Sequence, residues 1–239
     1  MRCRITMGGM RGKSVPVDYH YLLSSYIYNA IREGDEQLAR EIHDSLDFKP
    51  YTFSEIANPG HVENRITLIF NREDGHLIFS THRRDIMEAL VTGVLSFGTV
   101  YVGSEMFPVQ EVEILKEPEI KDRMRFKTLS PIVISPPRDV FEAGEKGELS
   151  PSDLRWYEIF NKNLKKKYLQ FFGKERRGDV HVRIYNSKYK KYHSPGPVTA
   201  YKMEFEIHGD RELIKLGYQS GFGRRTAQGF GCVKEIKEK

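Results

Sequence analysis

The stretch from Gly217 to Val233 carries two Gly-Phe-Gly units, Gly221-Phe222-Gly223 and Gly229-Phe230-Gly231, separated by five residues of which two are arginines. Glycine lacks a Cβ, so its backbone can approach a ligand closely and adopt positive φ. Arginines held between such turns present planar donor forks, and the whole could cradle a phosphate. The spacing fits neither G-x-G-x-x-G nor the phosphate loop ending in lysine, and the strand-loop-helix context of a nucleotide cofactor cradle is missing. The structural alternative is a flexible hairpin turn. Gly221, Gly223, Arg224, Arg225, Gln228, Gly229 and Gly231 are the candidate binding residues.

The charge distribution favours an anionic partner for that loop. The 239 residues carry a formal charge of +5, but residues 1–119 hold 12 Lys+Arg against 18 Asp+Glu, and residues 120–239 hold 26 against 15. An acidic half joined to a basic one implies that the C-terminal half meets a polyanion, nucleic acid before others. Single runs such as Lys165-Lys166-Lys167 read as ordinary solvated lysine. No apolar run reaches the length of a membrane span and no signal-peptide core opens the chain, so a soluble, cytoplasmic protein is expected. Cys3 and Cys232 read as buried thiols, which leaves no disulfide framework or cysteine zinc site. High charge with little cysteine leans towards a thermophilic composition.

The elements that must position the loop follow from periodicity. Arg2 to Met7 alternates as a strand; Asp18 is a candidate N-cap for a helix with apolar residues at 19, 22, 23, 26, 27, 30 and 31. At about 100° per residue Tyr28 falls roughly 150° from the centre of that stripe, on the face opposite the core. Leu38, Ile42 and Leu46 mark a second short helix with His43 at the edge of its apolar face. Residues 65–71 and 76–81 read as a hairpin turning at Glu73-Asp74-Gly75, 85–92 as a helix ending at Gly93, and 99–102 and 109–115 as strands.

The second half repeats this order. A strand opens near Phe126, and Pro136 to Gly147 reads as a loop. Ser150-Pro151-Ser152-Asp153 is a capping box for a helix through Trp156, Phe160, Leu164 and Tyr168. Strands at 181–185 and 198–207 follow, then a short helix from Asp210 to Gly217, the glycine-rich loop and a last strand at 232–236. Gly93 to Gly98 faintly echoes Gly217 to Gly223. Strand-helix-strand-strand-helix-strand, twice, predicts an α+β fold of two tandem ferredoxin-like βαββαβ domains, 1–119 and 120–239, joined near residues 116–124.

The double Gly-Phe-Gly loop, the Thr128-Leu-Ser-Pro-Ile132 opening of the second half and the helix segment Ile27-Tyr-Asn-Ala-Ile31 resemble the CRISPR-associated endoribonucleases that process repeat RNA. The resemblance spans nearly the whole chain and is to archaeal members. It implies metal-independent cleavage of precursor CRISPR RNA within each repeat, leaving a 2′,3′-cyclic phosphate and a 5′-hydroxyl, with no cofactor. It also implies a tyrosine on the first helix, a histidine on the segment after it and a lysine shortly beyond, places taken here by Tyr28, His43 and Lys49. The implied partner is CRISPR repeat RNA, single-stranded or weakly structured, with a second copy of the chain or a CRISPR effector complex as further partners.

The chemistry suits those side chains. In-line attack by a 2′-hydroxyl needs a base, an acid for the 5′-oxygen and a cation at the crowded phosphate. Histidine has the pKa for either proton-transfer role, lysine can stabilise the developing charge, and tyrosine can orient the nucleophile or trade protons with it. Acid and base stay unassigned here. His20, His61, His76, His82, His181, His193 and His208 lack ligand spacing, so no metal site is expected. Tyr185, Lys188, Tyr189, Lys190, Lys191 and Tyr192 either stack on bases and meet phosphates or form a solvated hairpin tip. A non-cleaving RNA-binding subunit and a nucleotide-binding enzyme are the competing functions.

Overall fold

The computed structural model describes residues 1–45, 47–136, 147–193 and 196–237. The loop expected from Pro136 to Gly147 lies, apart from its ends, outside them. Among the described residues no helix is long and apolar enough to cross a membrane.

The N-terminal domain is a five-stranded sheet in the order β3-β6-β1-β8-β7, from β1 (Arg2–Met7), β3 (Tyr51–Phe53), β6 (Gly75–Thr81), β7 (Thr99–Val102) and β8 (Glu105–Leu115). Its helices are α1 (His20–Gly34), α2 (Glu36–Ser45) and α3 (Arg84–Phe97). Without the edge strand β7, the order is that of a ferredoxin-like βαββαβ unit whose second strand is β3. The hairpin expected from residues 65–81 is absent. Residues Thr67–Phe70 form β5 in a separate three-stranded sheet with β2 (Ser14–Pro16) and β4 (Gly60–Glu63), while β6 pairs with β1 and β3. The chain changes sheets between them because Asn58 clamps the turn: its amide donates to the carbonyls of Arg72 (2.9 Å) and Asp74 (3.1 Å), and its oxygen accepts from Arg72 N (3.2 Å).

Two helix boundaries also differ from expectation, one for a steric reason and one because the expected cap is engaged elsewhere. Gly93 does not end α3, which runs on to Gly98 in the left-handed region (φ 61°). A Cβ at Gly93 would lie 1.9 Å from the Ala30 carbonyl oxygen, and one at Gly34 would lie 2.0 Å from that of Ala89. The two glycines therefore let α1 and α3 touch backbone to backbone. Asp18 caps nothing; Tyr19 holds the N-cap position of α1, and the Asp18 carboxylate accepts from the backbone N–H of His193 (2.9 Å).

The C-terminal domain repeats the unit, in the order β10-β11-β9-β12, from β9 (Arg123–Thr128), β10 (Val180–Tyr192), β11 (Val198–Gly209) and β12 (Val233–Glu235). α4 (Leu154–Phe172) is capped by Asp153, which accepts from Arg155 N (2.9 Å), while the Ser150 hydroxyl meets Ser152, at its backbone N–H (3.3 Å) and its hydroxyl (2.9 Å). α5 (Arg211–Ser220) starts at Asp210 as expected but continues through Gly217, where a Cβ would fall 2.1 Å from the Phe222 ring. Trp156, Phe160 and Leu164 enter a core with Phe126, Phe205, Ile207 and Phe222, separate from the core under the first sheet. Lys167 extends that apolar stripe and is fully buried, unlike the solvated lysine its run suggests.

The domains are stitched by polar groups. Thr52 Oγ1 donates to the Phe230 carbonyl (2.8 Å) and Ser130 Oγ to that of Phe53 (3.0 Å). Arg2, nearly fully buried, stacks its guanidinium on the Tyr218 ring (3.9 Å) and donates to the carbonyls of Val233 (2.7 Å) and Tyr218 (2.9 Å). Glu55 accepts from Tyr192 Oη (3.1 Å) and pairs with Lys202 and Lys190. Beside it His20, buried and stacked between Tyr19 and Phe230, is held neutral: burial pushes its pKa down to about 4.

Candidate functional site

A cleft of about 1290 Å³ opens between the domains, with Tyr28, His43 and Lys49 on one side and Arg224, Arg225 and Gln228 on the other. The sequence separates these groups by nearly 200 residues, and the fold brings them into one space. α1 carries Tyr28, the last turn of α2 carries His43, and the segment leading to β3 carries Lys49.

Tyr28 is not free on an open face, as its place off the apolar stripe suggested. It is half-buried because α2 folds back across that flank of α1, and its ring sits 5.5 Å from that of His43. His43 is exposed, and its Nδ1 lies 3.0 Å from the Asp44 carboxylate. A carboxylate only accepts, so Nδ1 carries the proton in that contact and Nε2 is left as the second ring nitrogen. The Lys49 ammonium donates to the carbonyls of Ile42 (2.6 Å) and His43 (2.8 Å), capping the C-terminal end of α2. Its pKa is lowered, chiefly by burial, against the opposing pull of Asp44 and Asp47. A cation therefore sits within one turn of the imidazole.

The glycine-rich loop works differently from a backbone cradle. Gly221, Gly223, Gly229 and Gly231 all have positive φ, between 78° and 87°, as the expectation required. Their missing Cβ atoms face protein, however: they would fall 2.7 Å from Thr226 Cγ2, 2.4 Å from the Val133 carbonyl, 2.6 Å from the Phe53 ring and 2.1 Å from the Phe222 carbonyl respectively. The loop amides are also engaged, Phe222 N with Gly231 O (3.0 Å), Arg224 N with Val133 O (2.8 Å), Gly229 N with Thr226 O (3.1 Å) and Gly231 N with Pro131 O (2.8 Å). The glycines thus fold the loop tightly onto both domains, and what it presents to the cleft is side chains. Arg225 holds a left-handed backbone (φ 58°) and donates to Gln228 Oε1 (3.3 Å).

The aromatic and basic run of the second half is no hairpin tip. It lies along β10, where Tyr192 is buried, Lys190 is engaged by Glu55, and Lys191 and Tyr192 reach the cleft wall, while Tyr185 and Tyr189 are exposed. Several contributors escaped sequence reasoning. Asp44 was visible only as the neighbour of His43. Ser24, which donates to the Ala227 carbonyl (2.7 Å), and Phe48 gave no signal of their own. Among the described residues no group of three or more His, Cys, Asp or Glu side chains is placed to hold a metal ion.

Comparison with known proteins supplies a family. The N-terminal family of CRISPR-associated protein Cas6 matches residues 14–113, and the C-terminal family of the same protein matches residues 115–235. A CRISPR-associated endoribonuclease Cas6 of Pyrococcus furiosus is 31% identical over 94% of this chain and 84% of its own length. One from Methanocaldococcus jannaschii is 29% identical over 94% and 89%. Among solved structures, a Cas6-related protein of Pyrococcus furiosus superposes with a TM-score of 0.89 at 25% identity, over 100% of this chain and 99% of its own.

Proposed function

The chain belongs to the Cas6 family, and on that premise we propose that it is a metal-independent endoribonuclease that cuts precursor CRISPR RNA within its repeats. The observation that carries the reading is the meeting of a histidine, a lysine and a tyrosine with two arginines in one interdomain cleft.

In this reading the ribose 2′-hydroxyl before the cut attacks its own phosphodiester. The new bond to phosphorus forms as the bond to the 5′-oxygen breaks, giving a 2′,3′-cyclic phosphate and a 5′-hydroxyl. One proton leaves the nucleophile and one reaches the leaving oxygen, so the balance closes with side-chain acids and bases. His43 supplies one of these transfers through Nε2, its ring fixed by Asp44 and braced by Tyr28. Lys49, partly desolvated, stabilises the charge gathering on the phosphate. Tyr28 orients the nucleophile or exchanges the other proton. Residues 1–119 then carry the chemistry and 120–239 the grip on RNA, with Arg224 and Arg225 on backbone phosphates and Gln228 beside them. The glycines Gly221, Gly223, Gly229 and Gly231 serve that grip by holding the arginines in position.

The test uses end-labelled repeat RNA. Cleavage is expected to survive EDTA and to vanish when the nucleotide before the cut carries 2′-deoxyribose. Activity lost in EDTA and restored by Mg²⁺ would overturn the metal-free mechanism. Tight binding without any cutting would leave the non-cleaving RNA-binding subunit as the function.

A further inference from the structure

The segment that carries Lys49 is held from the opposite domain. Gln170, on α4, accepts the backbone N–H of Phe48 at Oε1 (3.1 Å) and donates Nε2 to the Phe48 carbonyl (2.8 Å). One carboxamide thus answers both backbone groups of a residue 122 positions away. Phe48 and Lys49 line the cleft, whereas Gln170 stands behind them and is not one of the lining residues. Residues 47–50 belong to no helix or strand, so their backbone has no ladder to fix it. A half-buried amide pair in such a segment sets its position more firmly than solvent would.

We infer that Gln170 is a positioning residue for Lys49, and through it for the last turn of α2, which carries His43. The chain of contacts is short: Gln170 to the Phe48 backbone, Phe48 to its neighbour Lys49, and the Lys49 ammonium to the carbonyls of Ile42 and His43. The same helix grips the other wall, since Lys167, one turn earlier, donates Nζ to the Gly221 carbonyl (2.7 Å). α4 therefore sets the separation between the lysine and the arginine-bearing loop. The inference rests on the role given to Lys49 above.

The decisive variant is Gln170→Met, which keeps length and bulk while removing both hydrogen bonds. At saturating enzyme the single-turnover rate should fall about tenfold or more, as displacement of a catalytic group does, while Kd for a 2′-deoxy-blocked repeat stays unchanged. In a Lys49→Ala background the same change should slow cleavage no further, because the residue acts through Lys49. Amide exchange at Phe48 should accelerate in Gln170→Met. A wild-type rate, or an undiminished further loss in the Lys49→Ala background, would overturn the positioning role. Unchanged exchange at Phe48 would overturn the clip itself, independently of cleavage. If the wild-type chain binds but does not cut, the function proposed above fails, and the exchange measurement still decides whether Gln170 holds the segment.

Discussion

Replacing Lys167 with methionine should make the protein more stable near neutral pH, and the gain should shrink as pH rises. Lys167 is fully buried, with Nζ on the Gly221 carbonyl at 2.7 Å and the Phe48 ring 5.7 Å away. Burial, with the Arg224 charge adding to it, lowers its pKa from the usual 10.5 to about 7. Between those values the unfolded chain holds a proton that the folded one has released, so stability rises with pH through this window. Below about pH 7 both states are protonated and the full penalty applies. That penalty is on the order of 5 kcal/mol, and between pH 7 and 9 roughly 2 kcal/mol of it is relieved. Lys167→Met removes it but leaves the Gly221 carbonyl without its donor, at a cost of about 1–3 kcal/mol. Net stabilisation of about 2–4 kcal/mol is then expected at pH 7, consistent with apolar replacement of other buried ions. Denaturant midpoints of both proteins from pH 6 to 10 provide the assay. Met1 and Lys49, whose pKa values are also lowered, are common to both proteins and cancel in the difference. A difference that stays flat from pH 7 to 9 would refute the reasoning.

His43→Ala should slow single-turnover cleavage by about 10² to 10⁴-fold with little change in the Kd of a 2′-deoxy-blocked repeat; parallel losses of binding and thermal stability would instead mark a structural histidine. Arg224→Ala with Arg225→Ala should weaken RNA binding and flatten the log-log salt slope by roughly 0.7 for each phosphate no longer neutralised, and an unchanged slope would remove the arginines from the interface. Gly231→Ala should destabilise the fold by about 1 kcal/mol or more, since it combines φ 81° with a Cβ 2.1 Å from a backbone oxygen; an unchanged Tm would contradict that packing. In acid, His20→Phe should remove part of the stability loss that wild type shows between about pH 6.5 and 4, because the unfolded histidine takes up a proton there that the folded one, with its pKa near 4, refuses. Unfolding midpoints across that range test it.

Long periodic elements were legible in the sequence. The stripe of α1, the core face of α4 and the order of elements in both halves follow from apolar spacing and give the tandem ferredoxin-like fold. β3 was not legible because three residues carry no periodicity, and the longer strand-like stretch 65–71, which contains β5, stood in for it. Gly93 and Gly217 resembled helix ends, but each is a point of close approach, to Ala30 and to Phe222, and nothing local distinguishes the two uses. Lys167 did leave a trace. It continues the spacing of Trp156, Phe160 and Leu164, and that position outweighs the charge of its neighbours. The cleft residues were legible one by one, whereas the bond from Gln170 to Phe48 depends on how two domains dock and leaves no local pattern.

The buried guanidinium of Arg2 also orders events in synthesis. Its carbonyl partners at Tyr218 and Val233 are 216 and 231 residues further along the chain. At roughly 5–20 residues per second the ribosome needs on the order of 10 to 50 s to supply them. Throughout that interval the first strand can pair within its own sheet, but its arginine has only water in place of those carbonyls. Residues 1–119 alone would expose the Arg2 cation that Tyr218 and Val233 cover. The N-terminal half therefore reaches its final set of contacts only when β12 has been made.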